Sequence, residues 1–304
     1  MLTVIVGLAG ALSYGAADFF GGLASRRISS IRATAIAAVV GLIVLLLALP
    51  LVGGEWSAQA VLFGALSGVT GAGALVLLYA CLALGPMSIL SPLTALVAAI
   101  VPMSVGLASG DRLAPLGYAA LGLALVAVVL VGFVPEKDAA RPTVRALAMA
   151  VASGALIGAF LVLIDLTPDD SGLVPLVANR ATNSAVMFCV VAVLAIVAAR
   201  RRRSAAASAP ITQPSDVVAE THGPHPWVAG AKFAVLCGLL DAGANALLLL
   251  GLRLGELSVM AVLTAMYPAG TIILAAIVLR ERLTALQWVG LALAVTAAGM
   301  LALA

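Results

Sequence analysis

Residues 66–95 read LSGVTGAGALVLLYACLALGPMSILSPLTA and residues 236–265 read LCGLLDAGANALLLLGLRLGELSVMAVLTA. Laid over each other without a gap, at an offset of 170 residues, they place Gly68 on Gly238 and Ala72-Gly73-Ala74 on Ala242-Gly243-Ala244. Leu84-Gly85 falls on Leu254-Gly255, Ser88 on Ser258, and Leu93-Thr94-Ala95 on Leu263-Thr264-Ala265. The register continues to about Leu130 and sets Asp111-Arg112-Leu113 on Glu281-Arg282-Leu283. Weaker matches upstream put Arg32-Ala33-Thr34 on Arg180-Ala181-Thr182 and Gly15-Ala16 on Gly154-Ala155. Any two helices rich in Ala, Leu and Gly resemble each other by chance. Glycines and charges held in register across three apolar runs are harder to obtain that way.

The medium follows from composition. Of 304 residues 63% are hydrophobic and 10% charged, against roughly 45–50% and 25% in soluble domains, and the mean hydropathy is +1.21. Apolar runs long enough to cross a hydrocarbon core of about 30 Å recur along the chain. A β-barrel would instead alternate apolar and polar residues in segments of about 10, which Ile36 to Leu49 does not do. Breaks made of charges, Pro and Gly predict spans near 2–23, 32–52, 60–84, 87–108, 114–134, 145–164, 174–199, 227–252, 257–279 and 284–303. The expectation is an all-α integral membrane protein of ten transmembrane helices. Its units are a first five-helix repeat over 1–134, a connecting loop over 135–144 and a second repeat over 145–304. Five is odd, so the two copies enter the membrane from opposite sides as an inverted repeat, and such pairs enclose a site near the midplane that opens alternately to each side. The chain enters its first apolar run without a basic leader, so that run reads as a retained span rather than a cleaved signal.

The long polar connection, 200–226, holds four arginines from Arg200, an Ala/Ser tract and Pro210, Pro214, Pro224 and Pro226, and reads as a flexible loop. His222 and His225 in it lack the further ligands a metal site needs. Cys81, Cys189 and Cys237 are isolated, without disulfide or zinc spacing. No metal or other cofactor is expected, and no nucleic-acid partner, because the basic residues cluster at span ends. With loops numbered in order, 13 of the 16 Lys and Arg residues fall at odd loops. The positive-inside rule then puts odd loops in the cytoplasm and, with ten spans, both termini outside.

The duplicated plan, the basic residue opening the second span of each half (Arg32, Arg180), the segment Tyr79-Ala80-Cys81-Leu82-Ala83-Leu84-Gly85 and the closing Leu279-Arg280-Glu281-Arg282-Leu283-Thr284 resemble the EamA family of the drug/metabolite transporter superfamily, over essentially the whole chain. The resemblance implies a ten-helix bundle around a central cavity that exports amino acids, metabolites or toxic compounds. It also implies termini in the cytoplasm, so the two lines of reasoning leave orientation open. Gly110-Asp111-Arg112 departs from the family's Gly-Glu-x-Leu but keeps the acid.

Ionisable groups within spans are costly and usually face the bundle interior. Asp241 lies well inside the eighth span and Asn245 shares its helix face; their first-half counterparts are Gly71 and Leu75, so this polar pair is an asymmetry on a symmetric scaffold. Buried there, Asp241 is suited to bind and release protons. Asp18, late in the first span, is within helical reach of Tyr14 and flanked by Gly21-Gly22; pairing with Arg26 or Arg27 is its structural alternative. Arg180, beside Asn179 and Asn183, is placed to hold a substrate carboxylate or phosphate bidentately or to snorkel to headgroups. Tyr79 and Tyr267 are mid-span aromatics, and Pro268 bends the ninth span and frees a carbonyl; Ser91-Pro92 and Pro102 offer the same in the fourth.

An intramembrane enzyme would need a nucleophile with its base, or a metal constellation, and no His-Glu-x-x-His or Gly-x-Ser-x-Gly motif occurs. No Walker lysine motif occurs either. What remains is a secondary transporter in the inner membrane, an exporter of a small metabolite, amino acid or drug-like compound working by alternating access, with the bilayer and a small molecule as partners. Protons as coupling ions, substrate identity and oligomeric state stay open. The alternative is a non-transporting scaffold, whose interior would be filled with apolar side chains.

Overall fold

The computed structural model describes residues 1–25, 27–28, 30–82, 87–132, 142–207, 226–280 and 283–303. Among these it is all helical. The α-helices are α1 (Leu2–Ser25), α2 (Ser30–Val52), α3 (Ala58–Leu82), α4 (Met87–Ser109), α5 (Pro115–Gly132), α6 (Val144–Asp165), α7 (Val174–Ala207), α8 (Pro226–Leu254), α9 (Leu257–Ala265), α10 (Tyr267–Val278) and α11 (Ala285–Leu303), with one 3₁₀ turn at Asp169–Ser171. Among the described residues nine segments are long and apolar enough to span a bilayer, α9 and α10 counting as one, and α4 adds the shorter apolar stretch Leu93–Ser109.

Two details differ from the sequence expectation. The segment expected as a loop from Arg200 begins as helix, because α7 runs on to Ala207. Arg and Ala are strong helix formers, and cations near a helix C-terminus complement its dipole. His222 and His225 lie outside the described residues, as do 133–141, which include most of the expected connecting loop. The ninth span breaks at Met266, where Pro268 occupies the first turn of α10 and cannot donate to a carbonyl one turn back. The fourth span does not break: α4 runs unbroken past Pro92 and Pro102.

The tightest packing joins the first-half helices to the second-half ones: α1 on α8 and α10, α2 on α7 and α8, α3 on α6 and α7, α4 on α6 and α9, and α5 on α11. In lipid, helices associate through close packing rather than the hydrophobic effect, and small residues permit it. Ala120, Ala124 and Ala127 of α5 are fully buried on a seam shared with Gly290, Ala294 and Ala297 of α11. A side chain on Gly290 would stand 2.7 Å from the Val131 nitrogen.

One end of the bundle is stitched across the halves. Glu55 N donates to Asp170 O at 2.9 Å and Leu173 N to Gly53 O at 3.2 Å. Gly53, Gly54 and Gly172 hold φ of 79°, 144° and 47°, where L side chains are strained, and this lets the two backbones touch. Gln59 Nε2 donates to Leu166 O at 3.0 Å, and Thr3 Oγ1 to Leu254 O at 3.0 Å. Arg253 donates to Thr167 Oγ1 at 2.6 Å and Pro168 O at 3.0 Å, and pairs with Asp169 at 3.3 Å.

The same end carries a helix cap supplied by the other half. Asp111, beyond α4, accepts from Ser258 N at 2.9 Å and from Ser258 Oγ, satisfying a free donor of the α9 N-terminus with a negative charge. Removing that acceptor as Asp111→Ala is expected to cost about 1–2 kcal/mol, as for a lost cap, read as a lower unfolding midpoint in micelles and partly restored by Asp111→Asn. Burial works to raise the Asp111 pKa, but hydrogen bonds from Ser258 and Glu256 outweigh it and hold the carboxyl below its ordinary value. Glu256 is raised by its hydrogen bond to Asp111, then by burial and the neighbouring carboxylates Asp111 and Asp165. The raised Glu256 stabilises the fold below its unfolded pKa of about 4.3 and ceases to as pH rises through its folded value. The lowered Asp111 contributes above about 3.9 and fails only in stronger acid. The intrinsic-rate-corrected protection of the Ser258 amide should therefore fall as pH rises from about 4 through the raised Glu256 value, and Glu256→Gln should flatten the dependence.

Candidate functional site

Where α1, α7, α8 and α10 converge, the apolar interior gives way to a cluster of polar side chains. Arg180 Nη2 of α7 pairs with Asp241 Oδ2 of α8, with the side chains 12% and 23% exposed. Asn245, one turn along α8 and 2% exposed, donates through Nδ2 to the Asp241 carbonyl at 2.7 Å and to Oδ1 at 3.3 Å. The i, i+4 spacing thus lets the amide brace the carboxylate on its own helix. Arg180 lies against α2, with Cδ and Nε 3.6 and 3.7 Å from where a side chain on Gly41 would begin.

Asp18 of α1 is within electrostatic reach of Asp241, and Tyr14 and Tyr267 feel its charge. It makes no hydrogen bond or ion pair to any described residue, yet it is exposed. A carboxylate beside the buried cluster with accessible surface lines a cleft. The cleft has a direction. Along α1 the Tyr14 hydroxyl is fully buried, Asp18 is exposed, and Gly22 is exposed with nothing within 4 Å of where a side-chain carbon would stand. Along α8, exposure rises from Asn245 to Asp241 as the chain is followed back toward Pro226. Both helices open away from the stitched end, toward the odd, arginine-rich loops.

The structure therefore brings together Asp18, Arg180, Asp241, Asn245 and Tyr267. Asn183 is buried nearby but turns to α3, its Nδ2 3.7 Å from the side-chain position of Gly71. The Tyr79 side chain lies outside the described ones. The sequence expectation that Arg180 grasps an anionic group meets a carboxylate belonging to the chain itself. Cys237 and Ser184 were not legible as cluster members. Cys237 completes the stripe 237, 241, 245 on α8 and feels the charges of Asp241, Asp18 and Arg180, so i, i+4 spacing was the available signal. Ser184 follows Arg180 by one turn, and its Oγ, with Tyr14 Oη and Arg180 Nε, is buried without a hydrogen-bond partner among the described residues. Buried polar atoms without protein partners are unusual outside functional sites. No group of three or more His, Cys, Asp or Glu suited to a metal occurs among the described residues.

No curated protein matches the chain. A solved structure titled only "Crystal structure of protein" superposes with a TM-score of 0.66 at 15% identity, covering 99% of this chain and 96% of that one, a likeness of fold. The family model described as "EamA-like transporter family" matches residues 144–303. That is more than half of an all-helical chain whose buried charges gather between membrane-spanning helices, and the protein is a multi-pass membrane protein belonging to the EamA-like transporter family.

Proposed function

We propose that this protein is a proton-coupled secondary transporter of the plasma membrane that exports a small organic molecule by alternating access, its cleft open here toward the arginine-rich loops on the cytoplasmic side. The observation that carries this reading is the charged cluster in a cleft that is stitched shut across the halves at one end and open toward the other. An inverted repeat of 1–134 and 145–304 is supported by equivalent contacts in the two halves. Gly68 packs on Asn179 O of α7 and its counterpart Gly238 on Ala37 O of α2. Gly15 packs on α10 at Tyr267, and its counterpart Gly154 on α4 at Val97, which is the counterpart of Tyr267 at the offset of 170. Two structurally similar halves can exchange conformations, closing one end as the other opens.

Asp241 is the coupling residue in this scheme. A proton arriving on it removes the charge that ties Arg180 to α8, and the pair is a two-state element joining α7 to α8. Nothing in the cycle requires covalent chemistry. The test is flux of labelled amino acids and organic ions from proteoliposomes, with and without an imposed pH gradient. Gradient-sensitive flux is expected for one class of compound, and Asp241→Asn, which keeps an oxygen for Arg180, is expected to abolish that sensitivity in an inserted protein. Absence of flux across the panel, or unchanged pH sensitivity in Asp241→Asn, would defeat the transport or the coupling reading respectively.

A further inference from the structure

The charges in the cleft do not balance. Arg180 is the guanidinium of the cluster, and its charge is engaged by Asp241. Its Nε lies buried against α2 at Gly41. Asp18 is a second carboxylate, exposed to the cleft, with no cation or hydrogen-bond donor on it among the described residues. The other titratable groups around it are Tyr14 on α1, Cys237 and Asp241 on α8 and Tyr267 on α10, none of which supplies positive charge. Arg27 and Lys232 stand over the ring of Phe233, 4.9 and 5.1 Å from its centroid. Arg27 follows Asp18 by nine residues, beyond the end of α1 at Ser25, and Lys232 precedes Asp241 by nine. With Asp18 ionised, the cluster carries one net negative charge on an accessible oxygen pair, with the two tyrosines beside it.

We propose that Asp18 is the docking point for a positive charge, and that the molecule carried is an organic cation, a protonated amine or quaternary ammonium compound with an apolar or aromatic body. A carboxylate in a partly desolvated cleft attracts a cation more strongly than it would in water. Tyrosine rings add favourable faces for an ammonium group. An anionic compound would meet Asp18 uncompensated and would compete with Asp241 for Arg180, so the charge pattern selects against it as well as for the cation. This assignment rests on the transport reading, since it names the substrate class of the same cleft.

The experiment is equilibrium binding to the full-length protein in phosphatidylcholine nanodiscs, with empty nanodiscs as background. The probes are benzyltrimethylammonium, uncharged N-benzylacetamide and anionic 3-phenylpropanoate. Saturable binding of the ammonium compound alone is expected, weakened about tenfold or more by Asp18→Asn, in keeping with loss of one close charge pair, and largely kept by Asp18→Glu. Retained affinity in Asp18→Asn, or preference for either other probe, overturns the proposal, as does absence of cation binding to folded wild-type protein. Flux of the same three probes in proteoliposomes separates this idea from the one beneath it. Movement of 3-phenylpropanoate or N-benzylacetamide without cation binding would overturn the cation assignment and leave a transporter. Cation binding at Asp18 without movement of any probe would overturn the transport reading, and the substrate assignment with it, leaving a bare cation site.

Discussion

Arg180→Met is expected to destabilise the protein by about 3 kcal/mol, the low end of the range for breaking a buried ion pair, because it leaves the Asp241 carboxyl between helices without its partner. The pair is only partly solvated, at 12% and 23% side-chain exposure, and Asn245 alone, donating at 3.3 Å to one carboxylate oxygen, does not replace a guanidinium. The double variant Arg180→Met, Asp241→Leu removes both charges and should recover most of the loss, since apolar pairs of similar volume are often as stable as a buried ion pair. Denaturation in mixed micelles reads both. An unaltered midpoint for Arg180→Met would mean that the bridge between α7 and α8 contributes nothing to folding. Failure of the double variant to recover would mean that Arg180 matters through its packing on Gly41.

Gly15→Leu should prevent the fold from forming. A side chain at Gly15 would begin 2.6 Å from Thr271 N and 2.7 Å from the Gly270 Cα, both backbone atoms of α10 that cannot swing aside. Thr271 Oγ1 donates to Gly15 O at 3.0 Å across the same contact. Gly15→Ala, the smallest intrusion, is expected to cost about 1–3 kcal/mol, as overpacking does. Gly22, two turns along the same helix, is the internal control, with nothing within 4 Å of the added carbon. Gly22→Ala should be neutral or stabilising by up to about 1 kcal/mol through helix propensity. Membrane-inserted yield and thermal aggregation of the three variants provide the comparison, and equal losses at Gly15 and Gly22 would remove the close α1–α10 approach as the cause.

Much of the cluster was legible because a membrane makes polar residues conspicuous. Asp241 and Asn245 stand out as charge and amide in an apolar run, and their spacing of four already puts them on one face. Pro268 announces the break between α9 and α10, which falls at Met266, two residues before the proline that lacks an N–H. Pro102 sends the same signal from α4 and the helix ignores it, because local preference yields when tertiary packing holds both flanks in line. The polar segment from Arg200 misleads through its composition. Charge marks where a chain leaves the bilayer, not where a helix ends, and Arg and Ala favour continuing it.

Partnership is the harder matter. Arg26 and Arg27 are the cations nearest Asp18 in sequence, and Arg27 stands over the Phe233 ring. Arg180, distant in sequence from Asp241, reads from sequence as a ligand-binding residue and is instead that carboxylate's counter-ion. Asn179 and Asn183 flank Arg180 in sequence, yet Asn179 donates to Ser67 Oγ of α3 at 2.7 Å and Asn183 also faces α3, because a rotation of about 100° per residue turns neighbours to different helices.

Residue order alone establishes the medium, the helical class and the approximate span boundaries. All of these depend on hydropathy and periodicity, which are properties of residues in order along the chain. Tertiary packing alone reveals that Arg180 neutralises Asp241 while Asp18 pairs with none of the described residues, that Asp111 caps the helix beginning at Leu257, and that one end is stitched while the cleft widens toward the other. Those outcomes depend on which faces of separate helices meet, and a helix's apolar pattern in lipid scarcely records that, because the face toward a neighbouring helix and the face toward the bilayer are almost equally apolar.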